Sequence, residues 1–288
     1  MKYLLAVDGS NESLDATRTF EALSQAESLC VLYVVNVPGI PYPAMGAGVA
    51  KDLSMAVDKA MREEGERIIE QAVSLLPLHP GSVMKRLENG TPAEVILTIA
   101  QEQGTDLVVL GARGIGQIQE KMFGSVSHRV MTHAPCSTLI VKKPLRKIQQ
   151  VLIPIESKED GEAVVRFLNK KPFREPISAI VLHVIPFSEP VWPVGAMISP
   201  EFRKEMITYG ETFTNGISAE LKQLGHQAKG VVVVGAPSPK ILEAADKHAA
   251  DVIMMRTHSR SGVSRFLLGS VSHSVVHQTE SSILLVRD

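Results

Sequence analysis

The chain is one unit written twice. Residues Gly90 to Lys143 align without a gap against Gly235 to Asp288 at a constant offset of 145 positions, and the block Gly124-Ser-Val-Ser-His128 recurs unchanged as Gly269-Ser-Val-Ser-His273. Both copies therefore carry the same spacing of apolar positions and breakers and should reach the same fold. A length of 288 residues, 44% hydrophobic and 21% charged, fits two globular domains of ordinary size, each able to bury its own core. They are expected at residues 1–143 and 148–288, with the basic stretch Lys142-Lys-Pro-Leu-Arg-Lys147 as a solvated linker.

Composition excludes several classes of function. No apolar run approaches the roughly 18 residues of a membrane-spanning helix, and the start Met1-Lys-Tyr-Leu-Leu meets Asp8 before a signal-peptide core can form, so a cytoplasmic protein away from membranes is expected. Cys30 and Cys136 are the two cysteines and form no Cys-x-x-Cys pair, which points to buried thiols rather than to disulfides or a zinc site. A formal net charge of −1 leaves no electrostatic footprint for nucleic acid.

Strands alternate with helices. Tyr3 to Val7 is a short apolar strand ended by Asp8-Gly9-Ser10, and Val31 to Val37 is a β-branched run suited to a parallel strand covered on both faces. The Pro/Gly-rich segment Pro38 to Gly48 precedes a long helix of about Asp52 to Leu76. Thr91-Pro-Ala-Glu94 reads as a helix start in which side chains cap the first amides. Asp106 to Leu110 is then a strand running into Gly111, Gly124 opens a helix to about His133, and Ser137 to Val141 is a last strand. In the second copy the strands are Val151 to Ile155, Ala179 to Ile185, Val231 to Val234, Val252 to Met255 and Ile283 to Val286. The alternation predicts α/β architecture, a doubly wound parallel sheet in each copy.

Ligands of such sheets sit beyond the carboxyl ends of the strands. Asp8 ends the first strand there, and Gly111, Gly114, Gly124 and Ser125 follow the fourth. Glycines admit positive φ and let backbone amides approach a phosphate, a helix beginning at Ser125 adds free amides and a positive dipole end, and the hydroxyls of Ser125 and Ser127 can add hydrogen bonds. The same glycines also suit close strand-to-helix packing without any ligand. Neither the P-loop nor the dinucleotide fingerprint is present. The pattern that is met in full is G-x-x-G, nine residues, then G-S.

That pattern, with Asp8 after the first strand, resembles the ATP-binding members of the universal stress protein family, in a tandem-domain form covering nearly the whole chain. The resemblance implies two Rossmann-like domains, each a five-stranded parallel sheet in the order 3-2-1-4-5 flanked by helices. It implies that ATP binds with Asp8 at the ribose and adenine, the backbone near Val34 at the adenine edge, and the triphosphate on Gly111, Arg113, Gly114, Gly124, Ser125, Val126 and Ser127. Mg2+ would be held mainly by phosphates and water. Arg113 stands at a variable position of the motif, where its charge suits either phosphate or solvent. In single-domain relatives the last strand mediates dimer contact, so the two domains are expected to pair internally, with a homodimer also open.

The second copy departs from the pattern. Ile155 is read in place of the aspartate, Arg256 and Ser259 stand in place of Gly111 and Gly114, and only Gly269-Ser270 survives, so no ordinary ATP site is expected there. His273 and His277 are four apart on one predicted helix, but no metal site is expected from them. Met45, Met55 and Met61, with Tyr42, are candidates for lining a lid or filling the core. Three classes of function remain: a regulatory ATP-binding protein acting on an unknown protein partner, an enzyme such as a slow ATP hydrolase or phosphotransferase, and a nucleotide-free scaffold. No evident general base or nucleophile stands in the cradle, and the regulatory reading is taken forward.

Overall fold

A computed structural model describes residues 1–36, 47–77, 82–114, 123–186, 200–257 and 268–287. The chain divides into two compact units, Met1–Glu21 with Gln25–Pro144, and Ala22–Ser24 with Leu145–Asp288.

The first unit runs β1 (Lys2–Ala6), α1 (Asn11–Arg18), β2 (Ser28–Val35), α2 (Ala47–Leu75), β3 (Ser82–Asn89), α3 (Pro92–Glu102), β4 (Leu107–Gly111), α4 (Ser125–His133) and β5 (Ser137–Val141). Every pairing is parallel, and the order is β3-β2-β1-β4-β5, the 3-2-1-4-5 arrangement implied by the family resemblance. The central strands explain this. All five residues of β4 and of β5 are buried, as strands are when helices cover both faces. Tyr3, Leu4 and Leu5 of β1 are buried as well, and the Tyr3 ring meets Phe20 edge-on at 5.5 Å.

β3 was not legible in the sequence. Its residues Ser-Val-Met-Lys-Arg-Leu-Glu-Asn carry no apolar run, because this strand ends the order of its unit and among the described residues pairs with β2 alone, and Met84 on it is 54% exposed. The second unit runs β6 (Gln150–Pro154), α5 (Lys158–Asn169), β7 (Ser178–Ile185), α6 (Pro200–Gln223), β8 (Gln227–Val234), α7 (Pro237–Lys247), β9 (Val252–Arg256), α8 (Ser270–Gln278) and β10 (Ser282–Val286). Its strands pair in the same parallel pattern, β8-β7-β6-β9-β10. β8 begins four residues earlier than the apolar run Val231 to Val234 suggests, since Gln227 to Gly230 pair with β7 despite their polarity. No helix among the described residues is long and apolar enough to cross a membrane.

Candidate functional site

A cleft of about 430 Å3 opens in the first unit beyond the carboxyl ends of β1, β2 and β4. All nine residues singled out from the sequence line it: Asp8, Val34, Gly111, Arg113, Gly114, Gly124, Ser125, Val126 and Ser127. Tyr33 near the end of β2, Asn36 just after it, Pro92 and Ile96 of α3, and Met61 of α2 also line it. Of the methionines considered from the sequence, Met61 reaches the cleft, Met55 is 62% exposed, and Met45 and Tyr42 lie outside the described residues.

Each side of the cleft has a local cause. Asp8 follows β1, and its Oδ1 accepts hydrogen bonds from the Ser10 amide at 3.0 Å and the Ser10 hydroxyl at 2.6 Å. Gly9 sits at φ +85 between them, a conformation that favours glycine and allows the chain to turn back onto the carboxylate. Ser10 caps α1 by accepting from the Ser13 amide. The carboxylate is therefore pinned by the turn that follows it.

The cradle glycines serve close approach rather than positive φ, contrary to part of the expectation from sequence. Gly111, Gly114 and Gly124 all have ordinary φ, that of Gly124 being −64. A Cβ on Gly111 would lie 2.7–2.8 Å from the backbone and Cβ of Glu12, so the bare glycine lets the first turn of α1 rest on the end of β4. A Cβ on Gly114 would fall into Oδ2 of Asp8. One on Gly124 would meet the Ala112 carbonyl at 3.1 Å and Cα of Arg113 at 3.3 Å.

α4 starts at this glycine. The Gly124 amide donates to the Ala112 carbonyl at 2.9 Å, and its own carbonyl accepts from the His128 amide at 2.8 Å, the first bond of the helix. The amides of Ser125, Val126 and Ser127 thus have no intrahelical acceptor, and Gly124 at the cap position has no side chain to cap them. They sit in the cleft wall at the positive end of the helix dipole.

Two sequence expectations need correction. Ser127 is buried and its hydroxyl donates to the Gly111 carbonyl at 2.7 Å, so that proton ties α4 to β4 rather than facing the cleft as a free donor. Thr91 occupies the cap position of α3 but makes no side-chain capping bond. The start of that helix instead borders the cleft through Pro92.

The cleft mixes charges. Arg113 Nη2 lies 3.1 Å from Glu12 Oε1. Glu12 is a participant that sequence reasoning missed, because an acid in the first turn of a helix is unremarkable there. Tyr33 packs so closely on α2 that a Cβ on Gly65 would meet its ring at 2.6 Å. Burial pushes the Tyr33 phenol upward, with the negative charges of Asp8 and Glu64 adding to the effect, so it stays protonated at neutral pH.

The equivalent place in the second unit is built differently. The Ile155 amide donates to the Leu182 carbonyl at 2.9 Å just as the Val7 amide donates to the Leu32 carbonyl at 2.9 Å, so Ile155 matches Val7 and not Asp8. The residue opposite Asp8 is Glu156, and an acid is retained there. The slip arises because the turn into α5 is one residue shorter: Ser157 caps it directly after Glu156, whereas Gly9 intervenes before Ser10. Arg256, which replaces Gly111, reaches back with Nη1 3.8 Å from Oδ1 of Asp160. Asp160 is only 3% exposed, and its Oδ2 accepts from the amides of Glu156 and Ser157, both at 3.0 Å. A side chain and its carboxylate partner thus stand where the first unit keeps bare backbone. His183 of β7, partly buried, holds its Nδ1 3.0 Å from the Ile155 carbonyl and meets the Phe213 ring edge-on, as a satisfied strand histidine does.

The universal stress protein family model matches residues 1–142 and again 147–287. The chain belongs to that family and carries its domain twice. The universal stress protein Rv2005c of Mycobacterium tuberculosis is 26% identical over 302 residues, covering 99% of this chain and 96% of the relative. YxiE of Bacillus subtilis is 34% identical over 152 residues, 49% of this chain and 98% of the relative. Among solved structures, a universal stress protein from Archaeoglobus fulgidus matches with a TM-score of 0.64 at 19% identity, covering 99% of this chain and 96% of that one, a likeness of fold.

Proposed function

We propose that the first unit binds one adenine nucleotide, ATP with Mg2+, and that the protein works as a nucleotide-responsive regulator. The observation that carries this reading is the convergence of three uncapped helix amides and a pinned carboxylate on one cleft. Helix amides without acceptors favour an anion, and Ser125, Val126 and Ser127, which carry them, line the cleft. Asp8, across the cleft, suits the hydroxyls of a ribose. The apolar wall of Val34, Ile96 and Met61 beside Tyr33 suits a planar base. A cleft of about 430 Å3 lies within the usual range for a site of that size.

Mg2+ fits the same reading only as a companion of the phosphates. The two carboxylates at the cradle are already engaged, Asp8 by Ser10 and Glu12 by Arg113. Mg2+ keeps most of its water and binds phosphate oxygens readily, so it would neutralise the triphosphate without a dedicated protein cage. Regulation is preferred to turnover because, among the described residues lining the cleft, the one carboxylate is Asp8, and Ser10 already engages it. A partner protein would read the occupied state. Mass analysis of small molecules released when the purified protein is denatured tests the reading: ATP or ADP at one equivalent per chain supports it, and the absence of binding even after incubation with millimolar Mg-ATP overturns it.

A further inference from the structure

We infer that Glu12, paired with Arg113 of the cleft wall, determines specificity: it competes with phosphate for Arg113, so the more negative charge a ligand brings, the more fully it captures the arginine. The inference rests on the nucleotide reading above and deepens it toward nucleoside triphosphates.

The position of Glu12 is set by packing. Because Gly111 has no Cβ, the backbone of Glu12 lies 2.7–2.8 Å from where that atom would be, which fixes the base of the side chain against the end of β4. From there Oε1 reaches Nη2 of Arg113 at 3.1 Å, with side-chain exposures of 32% for Arg113 and 25% for Glu12. The pair is better shielded than a solvent-facing one such as Lys59–Glu63, exposed 79% and 56%, so it is less screened by salt. Arg113 itself lines the cleft between Gly111 and Gly114, within the cradle that the α4 amides complete. A guanidinium paired with a carboxylate can still be won by a phosphate chain, whose several oxygens and higher charge fit the planar fork bidentately. A nucleoside brings no charge and leaves the ion pair standing, and a single phosphate, with about −2 charge and three oxygens at neutral pH, competes with the carboxylate less strongly than a triphosphate chain.

The test is calorimetric titration of ATP, ADP and AMP into the wild-type chain, Glu12→Gln, Arg113→Gln and the double variant, with circular dichroism to check folding. These half-exposed polar exchanges remove charge and little volume. Competition predicts that Glu12→Gln tightens ATP about threefold, in the range of measured ion-pair strengths, with a smaller gain for AMP. It also predicts that this gain is larger with Arg113 present than in the Arg113→Gln background. A gain equal or larger without Arg113 would mean simple repulsion of phosphate by Glu12 and overturns the inference. A loss of ATP affinity in Glu12→Gln would mean that Glu12 positions Arg113 rather than competes for it, and overturns it too. If the wild type and all variants bind no adenine nucleotide, the underlying reading has failed instead.

Discussion

Gly114→Ala separates the shape of the cradle from the stability of the unit. The added methyl group would occupy the place of Asp8 Oδ2. Asp8 cannot swing aside freely, because Oδ1 accepts two hydrogen bonds from Ser10 that hold the turn into α1. Either the carboxylate moves and weakens those bonds, or the strand-to-loop backbone at Gly114 retreats. Hydrogen bonds to a charged group are worth about 1.5–3 kcal/mol each. Asp8 is half-buried and water can replace part of what is lost, so the expected destabilisation is about 1–2 kcal/mol. Displacing Asp8 from the cleft should also lower ATP affinity by about tenfold, equivalent to about 1.4 kcal/mol.

A double-mutant cycle with Asp8→Ala supplies the control, read by urea unfolding and by titration with ATP. With the carboxylate gone, Gly114→Ala should cost at least about 1 kcal/mol less than in the wild type, the size of coupling found between residues in contact. Equal costs in the two backgrounds would refute the argument that Gly114 is glycine because of Asp8.

Further outcomes follow from the same geometry. Gly124→Val should leave the protein folded yet reduce ATP affinity at least about tenfold, since its branches meet the Ala112 carbonyl and Arg113 and crowd the α4 amides; titration of the folded variant checks it. Gly111→Ala should instead destabilise the first unit by about 1–3 kcal/mol, because the atoms it meets are the Glu12 backbone and cannot turn away; the urea midpoint reports this. Arg256→Gly with Ser259→Gly should create weak nucleotide binding in the second unit without any change at Ile155, because Glu156 already supplies the acid; a second, weaker heat of titration is the readout. Burial holds the His226 imidazole below its ordinary range, and its Nδ1 accepts from the Ile177 amide at 3.3 Å. The unfolded chain therefore binds the proton more readily, and this stability is present above about pH 6.5 and lost as pH falls below it. His226→Asn should flatten that part of the melting-temperature profile between pH 7 and pH 5.

What the sequence disclosed was what local pattern controls. The buried runs of β1, β4 and β5 identified a parallel sheet because strands covered on both faces have no polar alternation to confuse them. The spacing of Gly111, Gly114, Gly124 and Ser125 marked residues that meet in space because one strand end and one helix start enclose them. β3 escaped because its exposed face dilutes the apolar signal. Asp8 was paired with Ile155 because the gapless match between the copies does not reach their first strands, and a turn shortened by one residue shows only in the hydrogen-bond register. Glu12 and the committed hydroxyl of Ser127 escaped because each depends on which atom faces which, and that is decided by packing between α1, β4 and α4.

Calorimetric titration of the ligand-free 288-residue chain with ATP in excess Mg2+, repeated on Gly124→Val, tests the central claim most directly. One nucleotide per chain, lost in the Gly124→Val variant, is the predicted result. Two equivalent sites, or a single site that survives Gly124→Val unchanged, would contradict it.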